Sequence, residues 1–157
     1  MNIKLIAIGK TDNKALQTLI DDYQKRLSFY IKFDLEIIPD IKNVKNLSEA
    51  QQKEKEGELI LAKLSATDQL ILLDENGKNF TSVGFSDELQ KKMNSGIKTL
   101  VFVIGGPYGF SPEVYNKAQG KISLSAMTFS HQMVRLFFIE QVYRAFTILR
   151  NEPYHHQ

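Results

Sequence analysis

The stretch TLVFVIGGPYGF, residues 99–110, is the most informative part of this sequence. Residues 99–104 form a run of β-branched and apolar residues that ends abruptly at Gly105, Gly106 and Pro107. A continuous apolar run bounded by turn residues predicts a buried strand of a parallel sheet. Open α/β sheets bind ligands where the chain leaves the carboxyl ends of such strands. Glycines there allow backbone N–H groups to approach a ligand, although a tight strand-to-helix turn would need the same glycines.

The composition narrows the class of protein. The chain has 157 residues, which fits one domain spanning 1–157, and it contains no cysteine. The lack of thiols excludes a disulfide framework, a thiolate metal site and a cysteine nucleophile. No apolar run has the length of a signal peptide or a membrane span, so we expect a cytoplasmic protein with no membrane partner. The formal charge of +2 does not by itself indicate nucleic acid, but residues 131–157 are locally basic.

Strand and helix patterns alternate along the chain. Apolar runs predict strands at 3–8, 69–73 and 99–104, alternation around Asp34 and Glu36 predicts one at 33–38, and a last strand is predicted at 121–127. Helical spacing of apolar residues predicts helices at 13–29, 46–64, 82–93, 112–118 and 131–149. Residues 74–77, Asp-Glu-Asn-Gly, are predicted to close the third strand as a turn. The alternation predicts an α/β fold with a mostly parallel sheet flanked by helices on both faces.

The last predicted helix is apolar on more than one side. Its main stripe is formed by Val134, Phe137, Phe138, Val142, Ala145, Phe146 and Leu149. Leu136, Ile139 and Tyr143 form a second face. A helix that is apolar on most sides must be buried on most sides. A symmetric homodimer would cover the second face, and an unusually enclosed helix in a monomer would do so without a partner.

Three strand ends are candidates for one site. They are Leu73-Asp74, the glycine loop at 105–109, and the segment SLSAMTF at 123–129. The last is rich in small and hydroxyl side chains and then becomes apolar, which suits a nucleoside with one apolar side. The glycine loop has the spacing of neither a dinucleotide fingerprint nor a P-loop. Asp74 and Glu75 fit either a general base or a solvated turn.

The serines near His131 do not indicate a hydrolase. No G-x-S-x-G motif is present, and a nucleophile beside its supposed base in the sequence is not the arrangement of a triad. Ser130 fits the N-cap of the last helix instead. His155 and His156 lack the spacing of a metal site, so no metal is expected. Arg135 stands out because a cation near the start of a helix is not favoured by the helix dipole.

These motifs together resemble one known family. Leu73-Asp74, IGGPYGFSPE (104–113), SLSAMTFSHQMVRLFFIEQVYRAFTI (123–148) and the terminal NEPYHH are similar to the bacterial ribosomal RNA large-subunit methyltransferase H family. That family consists of small members of the SPOUT class of methyltransferases. The resemblance covers essentially the whole chain and is most specific in its last third.

The resemblance implies a fold, a cofactor and a substrate. The fold would be an α/β knot, in which the C-terminal segment forms a deep trefoil knot, and the enzyme would be a homodimer. S-adenosylmethionine would bind at Leu73, Gly105, Leu124, Ser125, Ala126, Met127, Thr128 and Phe129. The substrate would be a pseudouridine of 23S rRNA in the assembled ribosome, methylated at N3.

The same resemblance directs attention to the residues that could handle the N3 proton. Methyl transfer from a sulfonium needs no metal, because the cofactor supplies the electrophile. The residues that are candidates for aligning N3 with the methyl group and for removing its proton are His131, Arg135, Tyr154 and His155, with no single base assigned. Family geometry suggests that the short, flexible tail of one subunit closes the site of the other. The competing interpretation of residues 153–157 is a frayed terminus without a role.

Two other functions are compatible with parts of the sequence. One is a ribosome-associated RNA-binding protein with a non-catalytic cofactor pocket. The other is a nucleotide-using α/β enzyme of a different kind, such as a hydrolase. The glycine loop and the LSAMTF segment favour the methyltransferase.

Overall fold

Five parallel strands form one sheet. The structure, a computed structural model, describes residues 1–156. The strands are β1 (Asn2–Ile8), β2 (Phe33–Ile38), β3 (Gln69–Asn79), β4 (Thr99–Ile104) and β5 (Gly120–Ser123). Their order across the sheet is β2-β1-β4-β3-β5, and every pair is parallel. The predicted α/β class with a parallel sheet is therefore confirmed.

Four α-helices connect the strands and a fifth follows β5, and short sequence signals start the first four. The five helices are α1 (Lys14–Leu27), α2 (Glu49–Ala62), α3 (Ser82–Asn94), α4 (Pro112–Lys117) and α5 (Met133–Leu149). The side chains that cap the first four accept hydrogen bonds from backbone N–H groups of the first turn; they are Asn13, Ser48, Thr81 and Ser111. Within residues 1–156, no helix is both long enough and apolar enough to cross a bilayer.

The sheet has a core on each face. The larger core joins alternate residues of β1 and β4, such as Leu5 and Phe102, to α1, α3 and α5. The smaller core joins the opposite residues, such as Ile6 and Val103, to α2 and α4. Strands buried on both faces explain the uninterrupted apolar runs of the sequence.

The third strand is longer than the sequence predicts. Residues 74–77 do not end it as a turn, because β3 continues to Asn79 and pairs with β5 again at Lys78 and Asn79 after a register shift. Polar residues 74–76 form the irregular stretch and remain partly exposed, which is why their pattern resembles a turn. The fifth strand is correspondingly shorter than predicted, and the chain leaves it after Ser123.

The argument for a dimer from the second face of the last helix is wrong in its choice of residues. Ile139 is completely buried within its own subunit, in the larger core. Tyr143 packs edge-on against the rings of Tyr23 and Tyr30. The apolar side chains that α5 leaves open are Met133, 41% exposed, and Phe137, 38% exposed. The period of the helix predicts a second apolar face but does not identify which residues neighbouring helices cover.

The chain returns from the edge of the sheet to its interior before α5 begins. Strand β5 lies at the edge, beside β3. Gln132, just before α5, nevertheless accepts a hydrogen bond from the N–H of Asp12 and donates one to the carbonyl of Lys10. Both partners follow β1, which is separated from β5 by β4 and β3. The segment between Ser123 and Gln132 therefore passes the carboxyl ends of the intervening strands.

Candidate functional site

A cavity of about 450 Å³ lies at the carboxyl ends of β3, β4 and β5. Its walls come from the three predicted strand ends, which the fold brings together. The lining includes 73–76, 104–110, Tyr115, 122–125, 127–129, His131 and Val134. All the residues predicted to bind a cofactor line this cavity except Ala126. The volume lies within the range of small-molecule and cofactor sites, about 300–1,000 Å³.

The glycines of the loop after β4 are needed for internal packing. A Cβ on Gly105 would lie 3.1 Å from the ring of Phe110. A Cβ on Gly106 would lie 2.5 Å from both carboxyl oxygens of Glu56. Gly109 has a positive φ of 82°, which favours glycine. These contacts show that a side chain at Gly105 or Gly106 would require Phe110 or Glu56 to shift even without a ligand, a constraint that the sequence pattern alone does not reveal.

The segment after β5 is held in a defined turn. The hydroxyl of Ser123 donates to the carbonyl oxygen of Ser125 at 2.9 Å. The Ser125 hydroxyl accepts from the N–H of Met127 at 2.9 Å. Because of these local bonds, residues 124–127 form a turn instead of the continuation of the strand that the sequence predicts. The turn places Met127 and Thr128 on the cavity wall.

Acidic groups line one side of the cavity. Asp74 and Glu75 are on the wall, and none of the lining residues is Lys or Arg. The hydroxyl of Tyr115 donates to the Asp74 carboxylate. Burial and this hydrogen bond raise the pKa of Tyr115 to about 12, so the phenol keeps its proton. Sequence reasoning missed Tyr115, because it lies on α4 and no motif points to it.

His131 and Arg135 occupy different environments. His131 lines the cavity. Arg135 is completely buried and does not line the cavity. Its guanidinium donates to the carbonyl of Ile8 at 2.9 Å, to the Thr11 hydroxyl at 3.2 Å and to the carbonyl of His131 at 3.1 Å. Arg135 thus joins the end of β1 to the segment that lines the cavity.

Ser130 makes the predicted kind of capping bond, but the last helix begins at Met133 instead of near His131, and the residue directly before it, Gln132, gives no side-chain cap. The Ser130 hydroxyl accepts from the N–H of Met133 at 3.1 Å, and its carbonyl accepts from the N–H of Val134 at 3.0 Å.

The tail lies against its own subunit, away from the cavity that this subunit forms. The Tyr154 hydroxyl bonds to Oε1 of Glu140 at 2.9 Å and to the Tyr23 hydroxyl at 3.1 Å. Nδ1 of His155 is 3.2 Å from Nη1 of Arg144, which also pairs with Glu140. Burial and the two bonds to Tyr154 raise the pKa of this phenol. Tyr154 and His155 are thus ordered against α1 and α5 and do not line the cavity.

The part of the chain described here, 1–156, contains no cluster of three or more His, Cys, Asp or Glu side chains suited to hold a metal ion.

Comparisons with known proteins identify relatives over the whole length. The family described as "Predicted SPOUT methyltransferase" matches residues 1–155. A protein named "Ribosomal RNA large subunit methyltransferase H" from Flavobacterium johnsoniae is 90% identical, with all of both chains covered. Proteins of the same name from Christiangramia forsetii and Bacteroides thetaiotaomicron are 67% and 55% identical, again over all of both chains.

Proposed function

The chain belongs to the SPOUT methyltransferase family, and we propose that it transfers a methyl group from S-adenosylmethionine to N3 of a pseudouridine in 23S rRNA of the assembled ribosome. The observation that carries this proposal is the convergence of Leu73, Gly105 and residues 124, 125 and 127–129 on one cavity at the carboxyl ends of three parallel strands. The full-length similarity to proteins named as methyltransferases of large-subunit ribosomal RNA supports the substrate.

The residues of the cavity fit S-adenosylmethionine. The cofactor carries a sulfonium and an ammonium, and the wall supplies the carboxylates of Asp74 and Glu75 with no Lys or Arg. Leu124 and Phe129 offer apolar contact for the adenosyl group, and the loop at 105–109 offers backbone groups. When bound, this cofactor supplies an electrophilic methyl group, so the protein needs no metal for the transfer.

The remaining work of the protein is to place the pseudouridine and to remove its N3 proton. His131 is the candidate on the cavity wall. Tyr154 and His155 are the candidates on the tail, and their separation from the cavity of their own subunit favours action in a partner's site. Arg135 is proposed as a positioning residue, because all three of its hydrogen bonds connect backbone or side-chain groups of 8–11 and 131.

A homodimer accounts for the apolar surface beside the cavity. Phe129, 37% exposed, packs at a tilt against Phe137, 38% exposed, with ring centroids 4.9 Å apart, and Met133 lies one turn before Phe137 on α5. We infer that a second copy covers this surface and brings its own tail to the cavity. The return of the chain from β5 to β1 supports the trefoil knot, and a ribosomal substrate supports a cytoplasmic location.

Two measurements on the purified protein test this function. Calorimetry should show binding of S-adenosylmethionine, and tritium from its labelled methyl group should transfer to ribosomes that lack the modification. Binding without transfer would favour an RNA-binding protein with a non-catalytic pocket. Absence of both would contradict the proposal and leave a different nucleotide-using enzyme.

A further inference from the structure

One buried carboxyl group has no role in the function proposed so far. Glu56, on α2, is only 3% exposed. Its Oε1 is the one buried side-chain oxygen or nitrogen in residues 1–156 that lacks a hydrogen-bond partner. Its Oε2 accepts only a long bond of 3.4 Å from Nε2 of Gln52. A buried polar group left unpaired is costly, so its presence calls for an explanation.

The carboxyl group of Glu56 lies directly against the loop that lines the cavity. Its two oxygens are 2.5 Å, and its Cδ 2.8 Å, from the position that a Cβ on Gly106 would take. Gly106 lines the cavity and Glu56 does not, so the carboxyl group touches the loop from the side opposite the ligand.

The next residue of α2 makes a second close contact with the same segment. A Cβ on Gly57 would lie 2.5 Å from Oγ of Ser111 and 3.1 Å from Cγ2 of Val114. Ser111 caps α4 directly after the loop. The two ends of the segment 106–111 therefore both lie against α2. The side chain of Glu56 meets the end at Gly106, and the bare backbone of Gly57 meets the end at Ser111.

No cation compensates the Glu56 carboxyl group. The charged group that faces it from another element is Asp40, which follows β2. Arg135, which Asp40 also influences, directs its donors to Ile8, Thr11 and His131. Burial, followed in smaller measure by Asp40, raises the pKa of Glu56, while Gln52 opposes the shift. The uncharged carboxyl group is therefore the form that this environment favours.

We propose that Glu56 is a positioning residue of the cofactor site, whose buried carboxyl group supports Gly106 from behind and holds the loop at 105–109 in the conformation that binds the cofactor. The inference rests on the proposed cofactor site. It predicts that the protonation state of a group outside the cavity influences binding within it, because an ionised carboxylate against the loop must draw in water or displace Gly106.

Calorimetry with S-adenosylmethionine tests this inference with Glu56→Gln, Glu56→Ala and the control Glu58→Gln. Glu58 lies on the same helix but is exposed. The glutamine at 56 keeps the shape of the side chain and cannot ionise. The affinity of Glu56→Gln relative to wild type, followed from acid to alkaline pH, should rise at least threefold, because only the wild type has a carboxyl group that can ionise at this position. This ratio removes the pH dependence that the two proteins share. Glu56→Ala should bind S-adenosylmethionine about tenfold more weakly than wild type at every pH tested. Glu58→Gln should bind it with the affinity of wild type.

Hydrogen–deuterium exchange of the peptide covering 105–110, without cofactor, gives a readout that does not depend on binding. It should be faster in Glu56→Ala than in wild type, Glu56→Gln and Glu58→Gln. A constant affinity ratio across pH, or unchanged exchange in folded Glu56→Ala, would overturn the inference. A wild type that does not bind S-adenosylmethionine at all would instead contradict the proposed function, and the exchange experiment would still decide whether Glu56 holds the loop.

Discussion

Nη2 of Arg135 lies 2.9 Å from the carbonyl oxygen of Ile8, so the first turn of the last helix is tied to the end of the first strand. The two residues are far apart in the chain, and the bond crosses the place where the segment lining the cavity returns to the centre of the sheet. Burial lowers the pKa of Arg135, opposed by Asp12 and Asp40. A buried cation with three backbone or hydroxyl partners is expected to stabilise this crossing.

Arg135→Met should therefore act on stability first. The substitution leaves the carbonyls of Ile8 and His131 and the Thr11 hydroxyl without their donor, which costs about 2–4 kcal/mol in the free energy of unfolding. Urea unfolding measures the loss, and Arg150→Met, an exposed arginine at the end of α5, is the control. A variant as stable as wild type that has lost methyl transfer would make Arg135 a catalytic residue instead.

Gly105→Val should abolish cofactor binding through the shape of the loop. The added Cβ meets the Phe110 ring at 3.1 Å, so the ring or the loop must shift to admit it, and the two γ-methyl groups add further bulk. Overpacking of this kind costs about 1–3 kcal/mol, so the sheet should stay folded. Calorimetry and circular dichroism check both parts. Unchanged affinity would show that the loop does not bind the cofactor.

The tail should act in the site of the partner subunit. His155→Ala removes a half-buried ring whose hydrogen bond is to Arg144, so stability and cofactor affinity should change little. Turnover on ribosomes should fall about a hundredfold if proton removal and placement of the base are both lost.

Mixing the two inactive variants decides which subunit the tail serves. Gly105→Val lacks a cofactor site and His155→Ala lacks a working tail. Mixed dimers contain one site in which an intact cavity meets an intact tail from the other chain, so activity should return. No recovery after subunit exchange, verified by mass spectrometry of the mixed dimers, would place the tail in the site of its own subunit.

The raised pKa of Tyr115 predicts that the stability of the protein depends on pH in the alkaline range. Its pKa in the folded protein is raised to about 12, above the value of about 10 for an unperturbed tyrosine. Its contribution to stability is therefore fully present below about pH 10 and is lost as the pH rises towards 12. The difference in urea midpoint between wild type and Tyr115→Phe should shrink across that interval. A constant difference would mean that the hydrogen bond to Asp74 does not hold the proton.

Much of the sheet could be predicted because its central strands are continuous apolar runs and its edge strand β2 alternates polar and apolar residues. The run at 99–104 matches β4 residue for residue, and 33–38 matches β2. The convergence of three strand ends also follows from parallel pairing. The polar continuation of β3 could not be predicted, because its pairing depends on a register shift against β5 that no local pattern encodes.

The residues that support the site could not be predicted from the sequence for a similar reason. Glu56 lies in a helix rich in charges, and nothing in the spacing distinguishes it from its exposed neighbour Glu58. Arg135 attracts notice as a cation near a helix start, yet its burial depends on Ile8 and Thr11, which are distant in the chain. The burial of Glu56 and of Arg135 depends on tertiary contacts of single polar residues. The periodicity of a sequence identifies only apolar faces.

Mass spectrometry of 23S rRNA tests the central claim most directly. The rRNA of a strain lacking this gene should contain one pseudouridine without its N3 methyl group. A plasmid carrying the wild-type gene should restore the methyl group, and plasmids carrying Gly105→Val or His155→Ala should not. A fully methylated 23S rRNA in the deletion strain, or restoration by Gly105→Val, would contradict the assignment of this protein as the methyltransferase.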